Sequence, residues 1–140
     1  MERLTYLLDT NAVTDYINGL GSTKERLKQA LRDGDTLILC QPVQYEVTRG
    51  LLKTGSVRKQ QIFEKEFAPW LIRIPLLDAD WDQAARFWAT ATARGRQFSD
   101  MDLLIAAVAA RLGGVIVSSD EDFDALPIRR ENWRVTPPAE

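Results

Sequence analysis

The chain has 140 residues, 45% of them hydrophobic and 27% charged, with a formal net charge of −2. That balance suits one globular domain with its own core and argues against broad electrostatic coating of nucleic acid, while leaving room for a small basic groove. There is no histidine and one cysteine, Cys40, which excludes imidazole catalysis, an internal disulfide and a cysteine-rich zinc site.

No run is long enough to span a bilayer, and the N-terminus shows no secretory pattern, so a cytoplasmic address is expected. In chain order, "TYLLD" at 5 to 9 reads as a buried strand ending on a carboxylate. Ser22 and Glu25 have capping-box spacing, which places a helix between them and Gly34. "TLILC" at 36 to 40 is a second strand, and Pro42 suits the first turn of a helix running to about Gly55. Ser56 can cap the next helix, and "LIRI" at 71 to 74 reads as a third strand.

Trp81, Ala84, Ala85, Trp88, Ala91 and Thr92 then recur at helical spacing, with Gly95 as the stop, so both tryptophans are expected in the core. Trp70 and Trp133 fit either a core or a surface role. "SDMDLLIAAVAARLGG" is a helix apolar nearly all round, "VIVS" at 115 to 118 a fourth strand, and "WRV" at 133 to 135 a candidate fifth. Strands alternating with helices give an α/β domain with a mainly parallel sheet of four to five strands. One domain is expected over residues 1–136, with a short tail over 137–140. Ligands of such sheets collect beyond the carboxyl ends of the strands, where Asp9 sits.

Each acid in turn also has an ordinary structural reading. Asp9 can cap a helix or close a turn. Glu46 falls on the helical arc of Val43, Val47, Gly50 and Leu51, where a charge must be paired, bound to a cation, or carried to solvent on its stem. Asp100 and Asp102 open the most apolar helix, where Ser99 can cap and either acid would complement the dipole. Being two apart, they point in different directions. Asp120 ends the fourth strand, ahead of Asp122, and can cap "EDFDAL". The recurrence of acids at strand ends and at the start of a buried helix is what these separate readings leave unexplained.

"LLDTNAVTDYI", the helical Glu46, "DLLIAA" and "VSSDEDF", in that order and spacing, resemble the PIN-domain nucleases, and among them the VapC-type toxins of bacterial toxin–antitoxin pairs. The likeness runs from about Leu7 to Phe123. It implies a three-layer α/β/α fold and four acids at the active site: Asp9, Glu46, Asp102 and Asp120. It also implies supporting roles for Thr10, Asn11, Asp100 and Ser118, and a structural role for Asp122. It further implies endonucleolytic cleavage of RNA to a 5′-phosphate and a 3′-hydroxyl, a homodimer, and a small antitoxin whose tail blocks the acidic cleft. Pro42, with Gln41 and Gln44, departs from the more apolar or Ser/Thr-rich approach to the glutamate in relatives.

The chemistry is consistent with that likeness. Carboxylates about 4 Å apart repel by roughly 4 kcal/mol a pair at an effective dielectric of about 20. A divalent cation relieves this, and an all-oxygen donor set suits Mg²⁺ or Mn²⁺. Without histidine to activate a 2′-hydroxyl, a metal-activated water is the better nucleophile. Arg49, Lys53, Arg94 and Arg96 are candidates for phosphate contacts, or else solvated surface. Three other readings compete. A phosphatase with an aspartyl nucleophile would need a second Asp where the chain has Asn11. The others are a PIN-type RNA-processing nuclease outside any toxin system, and a non-catalytic PIN-like binding module.

Overall fold

The computed structural model describes residues 2–135; the expected tail at 137–140 lies outside them. Its strands are β1 (Thr5–Leu8), β2 (Thr36–Cys40), β3 (Ile72–Ile74), β4 (Val115–Val117) and β5 (Arg129–Glu131). The helices are α1 (Thr10–Asn18), α2 (Thr23–Arg32), α3 (Gln41–Thr54), α4 (Val57–Gln61), α5 (Asp78–Ala93) and α6 (Asp100–Leu112). The strands form one sheet in the order β3-β2-β1-β4-β5, every neighbouring pair parallel. Helices flank it to give the expected three-layer α/β/α arrangement. Because parallel strands need crossovers, β1 and β4 are adjacent although far apart in sequence.

β1 lies at the centre, paired with β2 through Leu7 opposite Ile38 and with β4 through Leu8 opposite Val117. Chain progression reverses between these two strands, which makes their carboxyl ends the switch point where open α/β sheets hold ligands. The core is built on Leu7, Leu8, Leu37, Leu39, Ile116 and Val117, all fully or almost fully buried. α6 is buried continuously from Leu103 to Ala109 because it packs against α5, α3, β1 and β4 at once. Its stop is Gly113, in the left-handed region at φ 61°. At the following Gly114 a Cβ would come within 2.5 Å of Leu7 Cδ1 and 3.1 Å of the Thr5 carbonyl oxygen, so a side chain there would have to displace buried Leu7.

Four sequence expectations are corrected. Ser22 does not cap α2; its hydroxyl faces the carbonyls of Trp133 and Val135 at 2.8 and 3.0 Å, tying down the segment after β5 instead. The helix begun by Ser56, which does accept from the Lys59 amide, is α-helical only to Gln61. It continues as a π turn over Ile62–Phe67 and a 3-10 turn over Ala68–Trp70. The fifth strand is Arg129–Glu131 and not 133 to 135. Trp133 instead turns into the core, edge-on to Tyr6 at 4.9 Å with Arg26 over its ring.

The fourth concerns α5. Trp81 and Trp88 are 57% and 54% exposed, and α5 buries Asp80, Ala84, Phe87 and Ala91 instead. Buried Asp80 takes Arg111 as its partner, at 2.7 and 3.0 Å. The inward face thus carries a charge satisfied from α6 together with Ala84, Phe87 and Ala91.

Candidate functional site

Asp9 is where β1 stops and α1 begins. Its amide donates to the Val117 carbonyl at 3.0 Å, extending the ladder by one residue, and its side chain caps α1 by accepting from the Thr10 amide at 2.8 Å. The other carboxylate oxygen accepts from Asn11 Nδ2 at 3.1 Å and from Ser118 Oγ at 2.8 Å. Asn11 also donates to Ser118 Oγ at 3.0 Å and accepts from the Ser119 amide at 3.2 Å. Ser118 Oγ in turn accepts from the Asp120 amide at 3.0 Å. Asp9, Asn11, Ser118 and Asp120 are thus one connected network across the ends of β1 and β4, and every donor to Asp9 in it is neutral.

Glu46 reaches this place from α3. Thr10 Oγ1 donates to its Oε1 at 2.9 Å, and Arg49 approaches its Oε2 at 3.6 Å. Asp102 comes from the first turn of α6, where Ser99 Oγ accepts from its amide at 3.1 Å. Asp120 caps the 3-10 turn Glu121–Ala125 by accepting from the Asp122 amide at 2.9 Å. The ordinary readings are therefore also true: Asp9, Ser99 and Asp120 all cap.

The four acids lie near enough to act on one another electrostatically. Burial pushes the Asp102 carboxyl up to about 6, and repulsion by Asp9, Asp120 and Glu46 adds to it against the help of Ser99. Burial likewise raises Asp9; hydrogen bonds from Ser118 and the Thr10 amide oppose the shift, and Glu46 and Asp120 reinforce it. Only groups that share one region perturb one another in this way.

The donor set fits a hard, hydrated divalent ion, being carboxylate and hydroxyl oxygen throughout. Among the described residues no group of three or more His, Cys, Asp or Glu side chains is placed to hold a metal ion by itself. Such an ion would be held partly through its own waters, as Mg²⁺ commonly is. Cys40 takes no part; it is buried, and its thiol is pushed up to about 12.

A model of the PIN domain matches residues 6–128. The chain belongs to the PIN-domain family. In fold it is similar to VapBC2 from Rickettsia felis bound to a promoter DNA fragment, at 25% identity, 93% of this chain, 99% of that one and a TM-score of 0.80. DNA-bound VapBC from Salmonella typhimurium is similar at 23% identity, 93% and 98% coverage and a TM-score of 0.78. Mycobacterium tuberculosis VapC20, described as a sarcin-ricin loop cleaving toxin, is similar at 16% identity, 88% and 95% coverage and a TM-score of 0.65. No curated protein matches the chain by sequence.

Around the acidic pocket of this PIN domain the remaining candidates divide. Asp100 is exposed and lines a groove with Trp81 and Trp88 between α5 and α6. Arg96 stands 3.8 Å from Asp122, beside the turn that follows Asp120. Arg94 caps the end of α5, and Lys53 is exposed in the last turn of α3. Sequence reasoning missed Arg130. Its guanidinium donates to the Ser118 carbonyl at 3.1 Å and to both oxygens of Asp124 at 2.9 Å, which clamps the loop carrying Ser118 and Asp120. No local signal marks it, because its role depends on β5 lying beside β4.

Proposed function

We propose that this PIN domain is a metal-dependent endoribonuclease of the VapC type, the toxin of a toxin–antitoxin pair. What supports the reading is the mutual repulsion among acids from four separated stretches near the switch point of the sheet, with no cation, among the described residues, donating a hydrogen bond to Asp9. Mg²⁺ or Mn²⁺ bound there would supply a Lewis acid that activates water and screens the scissile phosphate.

Asp9 and Asp102 would hold the ion, Glu46 would do so directly or through water, and Asp120 would help hold a second ion or the water shell. Thr10 and Asn11 orient Glu46 and Asp9, and Ser118 fixes the distance between the two strand ends. With no histidine in the chain, deprotonation of the 2′-hydroxyl by imidazole is absent, and attack by water would leave a 5′-phosphate. Arg49, Lys53, Arg94 and Arg96 contact substrate phosphates around the acidic centre. The likeness to VapBC complexes supports a small antitoxin and a second copy of the chain as partners, and a cytoplasmic setting. Among the described residues no helix is long and apolar enough to cross a membrane.

The test is cleavage of total RNA with added Mg²⁺ or Mn²⁺. Asp9→Asn should lower the rate by about a hundredfold or more while the fold survives. An Asp9→Asn variant as active as the parent would refute the assignment.

A further inference from the structure

One face of α3 is left open beside the acidic pocket. Gln41, Gln44, Tyr45, Thr48, Arg49 and Leu52 line a groove of about 410 Å³ there. Tyr45 is 53% exposed. The Arg49 guanidinium lies 5.0 Å from the centre of its ring and reaches Glu46 at 3.6 Å with one nitrogen. Arg49 thus joins an exposed aromatic face to the carboxylate cluster. At the far end, Gln41 commits its side-chain oxygen to the Leu76 amide at 3.0 Å, which holds its carboxamide in place and leaves its nitrogen for another partner.

We propose that this groove seats an unpaired nucleotide of single-stranded RNA next to the scissile phosphate. The Tyr45 ring stacks on the base, Arg49 faces the phosphate, and the Gln41 and Gln44 carboxamides meet the base edge. The inference rests on the ribonuclease reading and adds a site for the substrate to it. The chemistry of the lining favours a nucleotide over a protein. An exposed ring offers any splayed base a stacking surface, and a guanidinium beside it supplies the charge a phosphate needs. The centre of a protein-docking surface is depleted of charge and more apolar; here Leu52 is the only aliphatic side chain among six.

The test separates binding from cleavage. In the Asp9→Asn background, fluorescence anisotropy measures affinity for labelled oligouridylate and oligoadenylate of about ten nucleotides, and for an RNA duplex of the same length. Tyr45→Ala should weaken both single strands on the order of tenfold and the duplex far less, while Tyr45→Phe stays within about twofold. Trp70→Ala, which removes another exposed aromatic, should leave all three unchanged. With Asp9 intact, Tyr45→Ala should raise KM more than it lowers kcat.

A Tyr45→Ala variant that binds and cleaves like the parent overturns the stacking site and leaves the nuclease reading standing. Loss in Tyr45→Phe equal to that in Tyr45→Ala overturns it as well, because the hydroxyl and not the ring would then be responsible. Unchanged RNA affinity with a lower sedimentation mass would make the groove a contact between copies and likewise overturn it. A parent chain that neither binds nor cleaves RNA fails both readings together.

Discussion

Asp9, Asp15 and Asp80 are all buried, at 6%, 3% and 1% exposure, yet they belong to two different kinds of place. Asp80 accepts from Arg111 at 2.7 and 3.0 Å and from the Leu77 amide at 2.9 Å. Asp15 accepts two bonds of 2.9 Å from Arg134. Each is a carboxylate supplied with its counterion by the fold. Among the described residues Asp9 has hydroxyl, carboxamide and backbone donors only, and its charged neighbours are Glu46, Asp102 and Asp120. The first kind ties distant parts of the chain together; the second stores repulsion that a ligand can relieve. Burial alone does not separate them. The missing counterion does.

The sharpest way to break this contrast is to make a structural acid resemble Asp9. Arg111→Ala leaves Asp80 buried and unpaired between α5 and α6, and should lower stability by about 3 kcal/mol or more in urea unfolding. A loss under about 1 kcal/mol would mean that Asp80 never depended on its partner. Arg134→Ala should show the same effect more weakly, by about 1–2 kcal/mol, since its side chain is half-exposed and water shares the interaction.

Acid sharpens the contrast further. Burial alone would raise the Asp80 carboxyl, but the Arg111 and Leu77 hydrogen bonds outweigh it and hold the group below its ordinary range. A depressed folded value means that its stabilisation is complete above the unfolded pKa, about 4, and is lost as pH falls through the folded value. Urea midpoints should therefore decline below about pH 4, and that acid limb should flatten or reverse in Arg111→Ala. The smallest effect is expected among the candidate site acids. In metal-free buffer Asp102→Asn should raise stability by about 1 kcal/mol, because it removes a charge that its neighbours repel.

How much of this was readable beforehand follows the same division. Four strands and most helix limits came from local signals: apolar runs, Pro42 at the start of α3, and Gly34, Gly55 and Gly113 at or beside helix ends. The four candidate acids were picked out by their order along the chain, and β1 lying beside β4 brings the strand ends that carry Asp9 and Asp120 together. What escaped was decided by partners far away. The apolar stripe of α5 pointed to Trp81 and Trp88, but the face that turns inward carries Asp80, whose partner Arg111 lies 31 positions beyond it. "RRE" at 129 to 131 has no strand-like pattern and pairs only because β4 offers an edge. Ser22 has the spacing of a cap, yet the carbonyls of the segment after β5 claimed its hydroxyl.

The central claim is that a divalent ion relieves the repulsion stored around Asp9, and thermal unfolding during a Mn²⁺ titration tests it most directly. The parent chain should be stabilised by about 1.4 kcal/mol once the ion reaches roughly tenfold over its dissociation constant, while Asp9→Asn shows little or no shift. A parent melting point that does not move with Mn²⁺, or an equal rise in Asp9→Asn, would contradict the account.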